Sequence, residues 1–199
     1  DVLVEGGQVT AVGAGLPAPE GDRVEVVDCA GKLLVPGMFD LHVHACEPGR
    51  EDREDIGSAT AAAHAGGISG IQLMPDTSPC IDGGGSVQSV LDSVAEKADP
   101  RVRVLTAGAL TKGRGGDELS GISGMRSRGV RMITDADLPV ANPLVLRRAM
   151  EYAREFDLIV GSHCETPELS EDGCMHEGAR SYALGLPAMP GISEEICLY

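Results

Sequence analysis

Two histidines separated by a single residue end an apolar run in the stretch FDLHVHACEPG, which spans residues 39–49. Successive residues of a β-strand point to opposite sides, so His42 and His44 are predicted to share one face while Val43 points to the other. Imidazole nitrogens on one face are typical zinc ligands, and an open zinc site activates water for hydrolysis. Cys46 continues the spacing, either as a soft metal ligand or as a small neutral side chain.

The elements that would position these residues follow from the hydrophobic pattern downstream of Gly37. Apolar runs alternate with amphipathic segments of helical spacing, and this alternation predicts parallel strands connected by helices. Asn142 and Pro143 form a typical helix start, with the asparagine as N-cap. The predicted strands lie at 38–44, 70–75, 102–110, 130–134 and 158–163, and the predicted helices at 54–67, 86–98, 118–129 and 142–156.

These strand–helix units predict an α/β protein. A complete (β/α)8 barrel takes about 250 residues, so the pattern predicts a barrel that is cut short. An open doubly wound sheet is disfavoured because no GxGxxG motif follows a strand.

In a barrel, the carboxyl ends of the strands carry the active-site side chains. His163 ends the fifth predicted strand and would supply a third imidazole. Asp76 follows the second strand, either to hold a cationic substrate group or as a solvated loop carboxylate.

The first 35 residues have a different hydrophobic pattern, with short β-rich runs between turns. The runs DVLVEGG, QVTAVGAG, RVEVVD and KLLVP are predicted as strands of a small sheet, with a hairpin turn at Gly6 and Gly7. The chain begins at Asp1 without a methionine and ends at Tyr199 inside a predicted helix. We therefore expect it to be a portion of a longer protein.

Composition and charge exclude several classes of partner. The formal net charge is −15 and the 16 Lys and Arg residues are scattered, so we expect no nucleic-acid or anionic-membrane partner. No apolar stretch approaches the roughly 18 residues of a membrane span. The six cysteines form no CxxC pair, which is typical of reduced thiols and predicts a cytoplasmic protein.

Long motifs occur along nearly the whole chain in a fixed order. They are VPGMFDLHVHACEPG, GISGIQLMPDTSP, GALTKGRGGDEL, GVRMITDADLPV and SHCETPEL. Together they resemble the opening half of a class I dihydroorotase, a member of the amidohydrolase superfamily. The resemblance implies a metal-dependent (β/α)8 barrel truncated after about five βα units. Residues 37–199 would be those units, and residues 1–36 part of a small β-sandwich domain.

The same resemblance implies a metal centre and a reaction. His42, His44 and His163 stand where the family has zinc ligands, for one or two ions. The implied activity interconverts dihydroorotate and N-carbamoyl-aspartate in pyrimidine biosynthesis. It also implies a homo-oligomer at full length and aspartate transcarbamoylase as a candidate partner. The family's catalytic aspartate would lie beyond residue 199, so no catalytic residue is predicted within this chain.

Three positions depart from the family's motifs. Cys46 stands in place of an arginine and Asp76 in place of an asparagine, both of which hold the substrate carboxylate. A thiol and a carboxylate at these places predict weak binding of an anionic substrate. Ala136 stands in place of the aspartate that bridges two metals, which predicts a weak second metal site unless Asp135 or Asp137 replaces it.

These departures leave two alternatives to dihydroorotate hydrolysis. One is a cyclic amidase with a different ring amide, such as a hydantoin, as substrate. The other is a catalytically degenerate subunit that scaffolds a partner such as aspartate transcarbamoylase. Metal content and turnover distinguish the enzyme from the scaffold.

Overall fold

The computed structural model describes residues 1–21 and 23–198. The chain divides into two compact units, Asp1–Pro36 and Gly37–Tyr199, and each has its own secondary structure. Among the described residues, no helix is both long and apolar enough to cross a membrane.

The first unit contains the predicted hairpin. Strands β1 (Val2–Glu5) and β2 (Gln8–Val12) pair antiparallel. The turn between them places Gly6 at φ 58° and Gly7 at φ 78°, a left-handed conformation that glycine adopts without steric cost. The hairpin prediction is therefore confirmed.

The two later strands predicted in this unit are wrong. The segments 23–28 and 32–36 lie outside any strand in the described part of the chain. Their valines and leucines are exposed, with Val26 78% and Leu33 86% accessible. A strand forms only where a neighbouring backbone accepts its hydrogen bonds, and these segments have no such neighbour among the described residues of the unit.

The second unit is built on parallel strands, as the alternating pattern predicted. Strands β3, β4 and β5 form one parallel sheet in chain order, and β6 pairs with β7 in another. A parallel bridge between Gly108 and Ile133 joins the two sheets. The strands are β3 (Met38–Val43), β4 (Ile68–Leu73), β5 (Arg103–Thr106), β6 (Met132–Ile133) and β7 (Ile159–Val160).

Helices connect these strands, and their ends follow local capping chemistry. The Asp55 carboxylate accepts a hydrogen bond from the Ser58 amide at 2.7 Å at the start of α1. Asn142 caps α4 by accepting from the Leu144 amide at 3.0 Å, which confirms its predicted role. The helices are α1 (Ile56–Ala65), α2 (Gly84–Lys97), α3 (Ile122–Ser127) and α4 (Pro143–Glu155).

Helix α3 begins later than the predicted start at residue 118. The Ser120 amide donates to the Leu110 carbonyl at 3.1 Å, and the Gly121 amide donates to the Asp82 carbonyl at 2.9 Å. The Glu118 carbonyl, which would accept the first bond of a helix beginning there, accepts instead from the Lys112 amide at 2.8 Å, and Leu119 forms an antiparallel bridge with Thr111. The unit ends with α5 (Pro167–Ser170), β8 (Met175–His176), α6 (Ala179–Leu184), β9 (Ala188–Met189) and α7 (Ile192–Leu198).

The parallel strands bury different residues on their two faces. On the helix side, Ile71, Leu73 and Ile133 pack with helical residues such as Val87 and Met125. A second, smaller cluster contains Met74, Ala107 and Ala136, with Met132 packed against it. Alternation along the strands thus separates a helix-packed face from an opposite face, and the opposite face is where chemistry-bearing side chains emerge.

Candidate metal centre

His42 and His44 lie side by side at the end of β3. Their Nε2 atoms are 3.2 Å apart, and both side chains are exposed. Val43, between them, is half-buried and packs against the helix-side core. The alternation predicted from the sequence therefore places the two imidazoles on one face with converging ring nitrogens.

Asp76 joins this pair from the neighbouring strand. Strand β4 lies beside β3, where the Met74 amide donates to the Val43 carbonyl at 2.9 Å. This pairing brings the Asp76 Oδ2 atom to 2.7 Å from Nδ1 of His44. The other carboxylate oxygen, Oδ1, is buried and has no hydrogen-bond partner in the described structure. The contact between Asp76 and His44 was not predicted from the sequence. The one sequence feature that pointed to it is that adjacent parallel strands end at the same edge of a sheet.

Cys46 does not continue the extended strand conformation, and of its two predicted roles the structure favours the small neutral side chain. Its φ is 58°, which turns the chain away from the extended conformation. The side chain is buried, and its thiol donates to the His44 carbonyl at a distance of 3.7 Å. Burial, followed by the negative charge of Asp76, raises the pKa of the Cys46 thiol. The residue is therefore a buried neutral thiol beside the histidines.

Hydrogen bonds to neighbouring elements hold the loop that follows Cys46. Glu47 is 3% exposed and accepts hydrogen bonds from the Ile56 amide at 3.1 Å and from the Lys97 ammonium group at 2.5 Å. The Pro48 carbonyl accepts from the Ser78 amide at 2.8 Å. These contacts connect the loop that follows the histidines to α1, to α2 and to the loop that carries Asp76.

The carboxylates on either side of Ala136 are already engaged. Asp135 accepts hydrogen bonds from the Leu110 and Thr111 amides, both at 2.9 Å, and from the Thr111 hydroxyl. The Arg114 guanidinium donates to the Asp135 carbonyl at 3.0 Å and pairs with the Asp137 carboxylate. Ala136 itself is buried at φ 55°. The Asp135 carboxylate is thus engaged by three donors, and one oxygen of the Asp137 carboxylate is paired with Arg114.

His163 lies beyond the short strand β7 and has a carboxylate partner of its own. Its Nε2 atom is 2.6 Å from Oε2 of Glu165, and Oε1 of the same carboxylate accepts from the Ser170 hydroxyl. The hydrogen bonds from Ser170 and His163 lower the pKa of the Glu165 carboxyl. Within residues 1–21 and 23–198, no group of three or more His, Cys, Asp or Glu side chains is arranged to hold a metal ion. The structure thus brings His42, His44 and Asp76 together but leaves His163 paired with Glu165.

Similarity to known proteins decides the family. Residues 31–198 match the family model described as Dihydro-orotase-like. The chain is 42% identical over 196 residues to the dihydroorotase of Solibacter usitatus, covering 98% of this chain and 44% of that protein. It is 41% identical over 198 residues to the dihydroorotase of Pelobacter propionicus, covering 100% of this chain and 46% of that protein. The chain belongs to the dihydroorotase-like family. It spans less than half the length of these relatives.

A solved structure supports the fold of this dihydroorotase-like chain. The L-hydantoinase (dihydropyrimidinase) from Arthrobacter aurescens superposes with a TM-score of 0.65 at 20% sequence identity. The match covers 99% of this chain and 44% of the hydantoinase chain. At this identity the likeness is one of fold, which agrees with the observed parallel α/β architecture.

The histidine pair of this dihydroorotase-like chain fits a zinc ion. Two nitrogen ligands at about 2.0–2.1 Å from a tetrahedral zinc lie roughly 3.3–3.4 Å apart. The observed Nε2–Nε2 distance of 3.2 Å is close to that separation. The Oδ1 atom of Asp76, on the carboxylate that contacts His44, is buried and has no hydrogen-bond partner among the described residues. The nitrogen spacing of the pair is therefore compatible with zinc coordination.

The thiols of this dihydroorotase-like chain should differ in reactivity. Burial, followed by the negative charge of Asp82, raises the pKa of Cys80 to about 11. Because the thiolate is the reactive form, iodoacetamide at pH 8 should modify exposed Cys29 and Cys174 well before Cys80. Peptide mass spectrometry over a time course measures the order. Modification of Cys80 at the rate of Cys29 would contradict the expectation.

Proposed function

We propose that this chain forms part of a metal-dependent cyclic amide hydrolase of the dihydroorotase type. In this proposal residues 37–199 are the first five βα units of a (β/α)8 barrel, and residues 1–36 belong to a small β-sandwich domain. The carrying observation is the convergence of the His42 and His44 Nε2 atoms, 3.2 Å apart, at the carboxyl end of β3. The strand order β3, β4, β5, then β6 and β7 through the Gly108–Ile133 bridge, is the order that a barrel requires.

The proposed reaction interconverts dihydroorotate and N-carbamoyl-aspartate by opening and closing a ring amide. When bound, a zinc ion supplies Lewis-acid activation of water and of the amide carbonyl. The Nε2 atoms of His42 and His44 would hold the ion. His163 is the proposed third ligand, because it lies beyond β7 as the two other histidines lie at the end of β3, and the carboxyl ends of barrel strands meet at one face. Joining the site requires His163 to exchange its contact with Glu165 for the metal.

A different ring amide is the second candidate substrate, and the residues beside the histidines favour it. Cys46 is a buried neutral thiol and Asp76 is an acid, so neither offers the charge-assisted hydrogen bonds of about 1.5–3 kcal/mol that would hold a substrate carboxylate. We expect a neutral ring such as hydantoin to be hydrolysed with a higher kcat/KM than dihydroorotate. Comparison of kcat/KM for the two substrates tests this, and a clear preference for dihydroorotate would remove the second candidate.

The metal content should be one zinc ion per chain. Asp135 is occupied by three donors and Asp137 by Arg114, so neither replaces the bridging carboxylate that Ala136 lacks. The substitution Ala136→Asp should raise the content toward two ions, because aspartate tolerates positive φ better than most residues and adds the missing ligand. Elemental analysis of the zinc-reconstituted protein that contains residues 1–199 measures the ratio. Two ions in the unsubstituted protein would contradict this prediction.

The same preparation tests the proposed function as a whole. Zinc binding together with turnover of dihydroorotate or hydantoin supports the enzyme. A protein that takes up no zinc, turns over neither ring and copurifies with aspartate transcarbamoylase would instead support the scaffold alternative.

A further inference from the structure

Of the two clustered histidines, His44 has a contact at each of its ring nitrogens. Its Nδ1 atom is 2.7 Å from the Asp76 carboxylate, and its Nε2 atom is 3.2 Å from Nε2 of His42. A carboxylate only accepts hydrogen bonds, so a neutral His44 must carry its proton on Nδ1. That tautomer leaves the Nε2 lone pair directed toward His42, which is where a shared cation would bind.

Asp76 is held firmly enough to impose this orientation. Its side chain is 14% exposed. The residues around it are fixed by main-chain and hydroxyl hydrogen bonds. The Ile81 amide donates to the Pro75 carbonyl at 3.2 Å, and the Thr77 hydroxyl donates to the Pro79 carbonyl at 2.7 Å. On the other side, the Met74 amide donates to β3. Asp76 lies in a loop after β4, but hydrogen bonds on both sides of it hold the backbone of this loop in place.

We propose that Asp76 is a positioning residue, which fixes the tautomer and ring orientation of His44 so that Nε2 is presented to the metal. This inference rests on the proposed metal centre and gives Asp76 a role distinct from substrate binding. A carboxylate that accepts from the non-ligating nitrogen of a histidine ligand orients the ring and raises its basicity. Removing such a partner typically lowers metal affinity by about 10–100-fold.

The tautomer can be measured without metal. Residues 1–199 contain five histidines, and single-histidine substitutions assign their ring signals in long-range 1H–15N spectra of the 15N-histidine-labelled protein that contains these residues. The unsubstituted protein should show the Nδ1–H form of His44. Asp76→Ala should shift His44 toward the commoner Nε2–H form, whereas Asp76→Asn should retain Nδ1–H, because the amide oxygen still accepts. The His163 signal, paired with Glu165, should not change in either variant.

A zinc titration against a chromogenic chelator provides the second readout. Asp76→Ala should weaken zinc binding by about 10–100-fold, and Asp76→Asn by less. Equal affinity of the unsubstituted and alanine proteins, or an unchanged His44 tautomer in Asp76→Ala, would overturn the inference. If the unsubstituted protein binds no zinc, the proposed function fails, and the tautomer measurement alone decides the role of Asp76. The asparagine variant keeps the test valid if the alanine variant does not fold.

Discussion

Replacing His42 with alanine should remove zinc from the protein and abolish ring-amide hydrolysis. The substitution deletes one of two Nε2 atoms that converge at 3.2 Å, so the end of β3 would offer a single imidazole. Metal activation contributes several kcal/mol to such a reaction, which corresponds to a loss of at least about a thousandfold in turnover. Elemental analysis after zinc reconstitution and a dihydroorotate or hydantoin assay measure the two effects.

The effect of His42→Ala should be confined to the site. His42 is exposed, so the substitution should change the free energy of unfolding by no more than about 0.5 kcal/mol. His64, an exposed histidine in the last turn of α1, provides the matched control, and His64→Ala should keep both zinc and turnover. A His42→Ala protein that retains a full zinc ion and its activity would show that β3 does not supply the ligands.

The long elements of this fold were predictable because local signals and tertiary contacts agree there. The Gly6–Gly7 turn, the Asn142 cap and strands β3 to β5 each follow from a nearby pattern. Segments 23–28 and 32–36 carry equally strong β-propensity but have no partner strand in the part of their unit that the structure describes, and propensity alone does not form a strand. The segment starting at residue 118 has a helical pattern, but the Glu118 carbonyl accepts from the Lys112 amide instead of from a helical amide.

In the candidate site, too, the features set by local sequence were predictable and those set by tertiary contacts were not. Strand alternation is a local property, so the shared face of His42 and His44 could be predicted from spacing alone. The position of Cys46 depends on a backbone turn at φ 58°, which spacing does not encode. The contact of Asp76 with His44 depends on the register in which Val43 of β3 pairs with Leu73 of β4. Register is set by packing between elements distant in sequence, so it became visible only in the fold.

The second large effect is expected at Gly49, in the loop that follows the two histidines. Gly49 has φ 102°, and a Cβ atom built on it would lie 2.1 Å from the Ser78 carbonyl oxygen. Gly49→Ala should therefore lower the free energy of unfolding for two reasons. The left-handed backbone conformation costs an alanine about 1–2 kcal/mol. The new Cβ atom also overlaps a backbone atom that cannot rotate away. We expect a total loss of about 3 kcal/mol or more in the free energy of unfolding, measured by urea denaturation.

The glycine between α1 and β4 separates these two causes. Gly67 also has a left-handed conformation, at φ 77°, but a Cβ atom there would meet nothing within 4 Å. Gly67→Ala should therefore cost only the conformational part, about 1–2 kcal/mol, and leave zinc affinity unchanged. Gly49→Ala must push the Ser78 segment away, and because that segment carries Asp76, zinc affinity should fall together with stability. Equal losses of stability in the two variants would mean that the loop after the histidines moves freely relative to the loop of Asp76. The contact between these loops would then not be what holds Asp76 against His44.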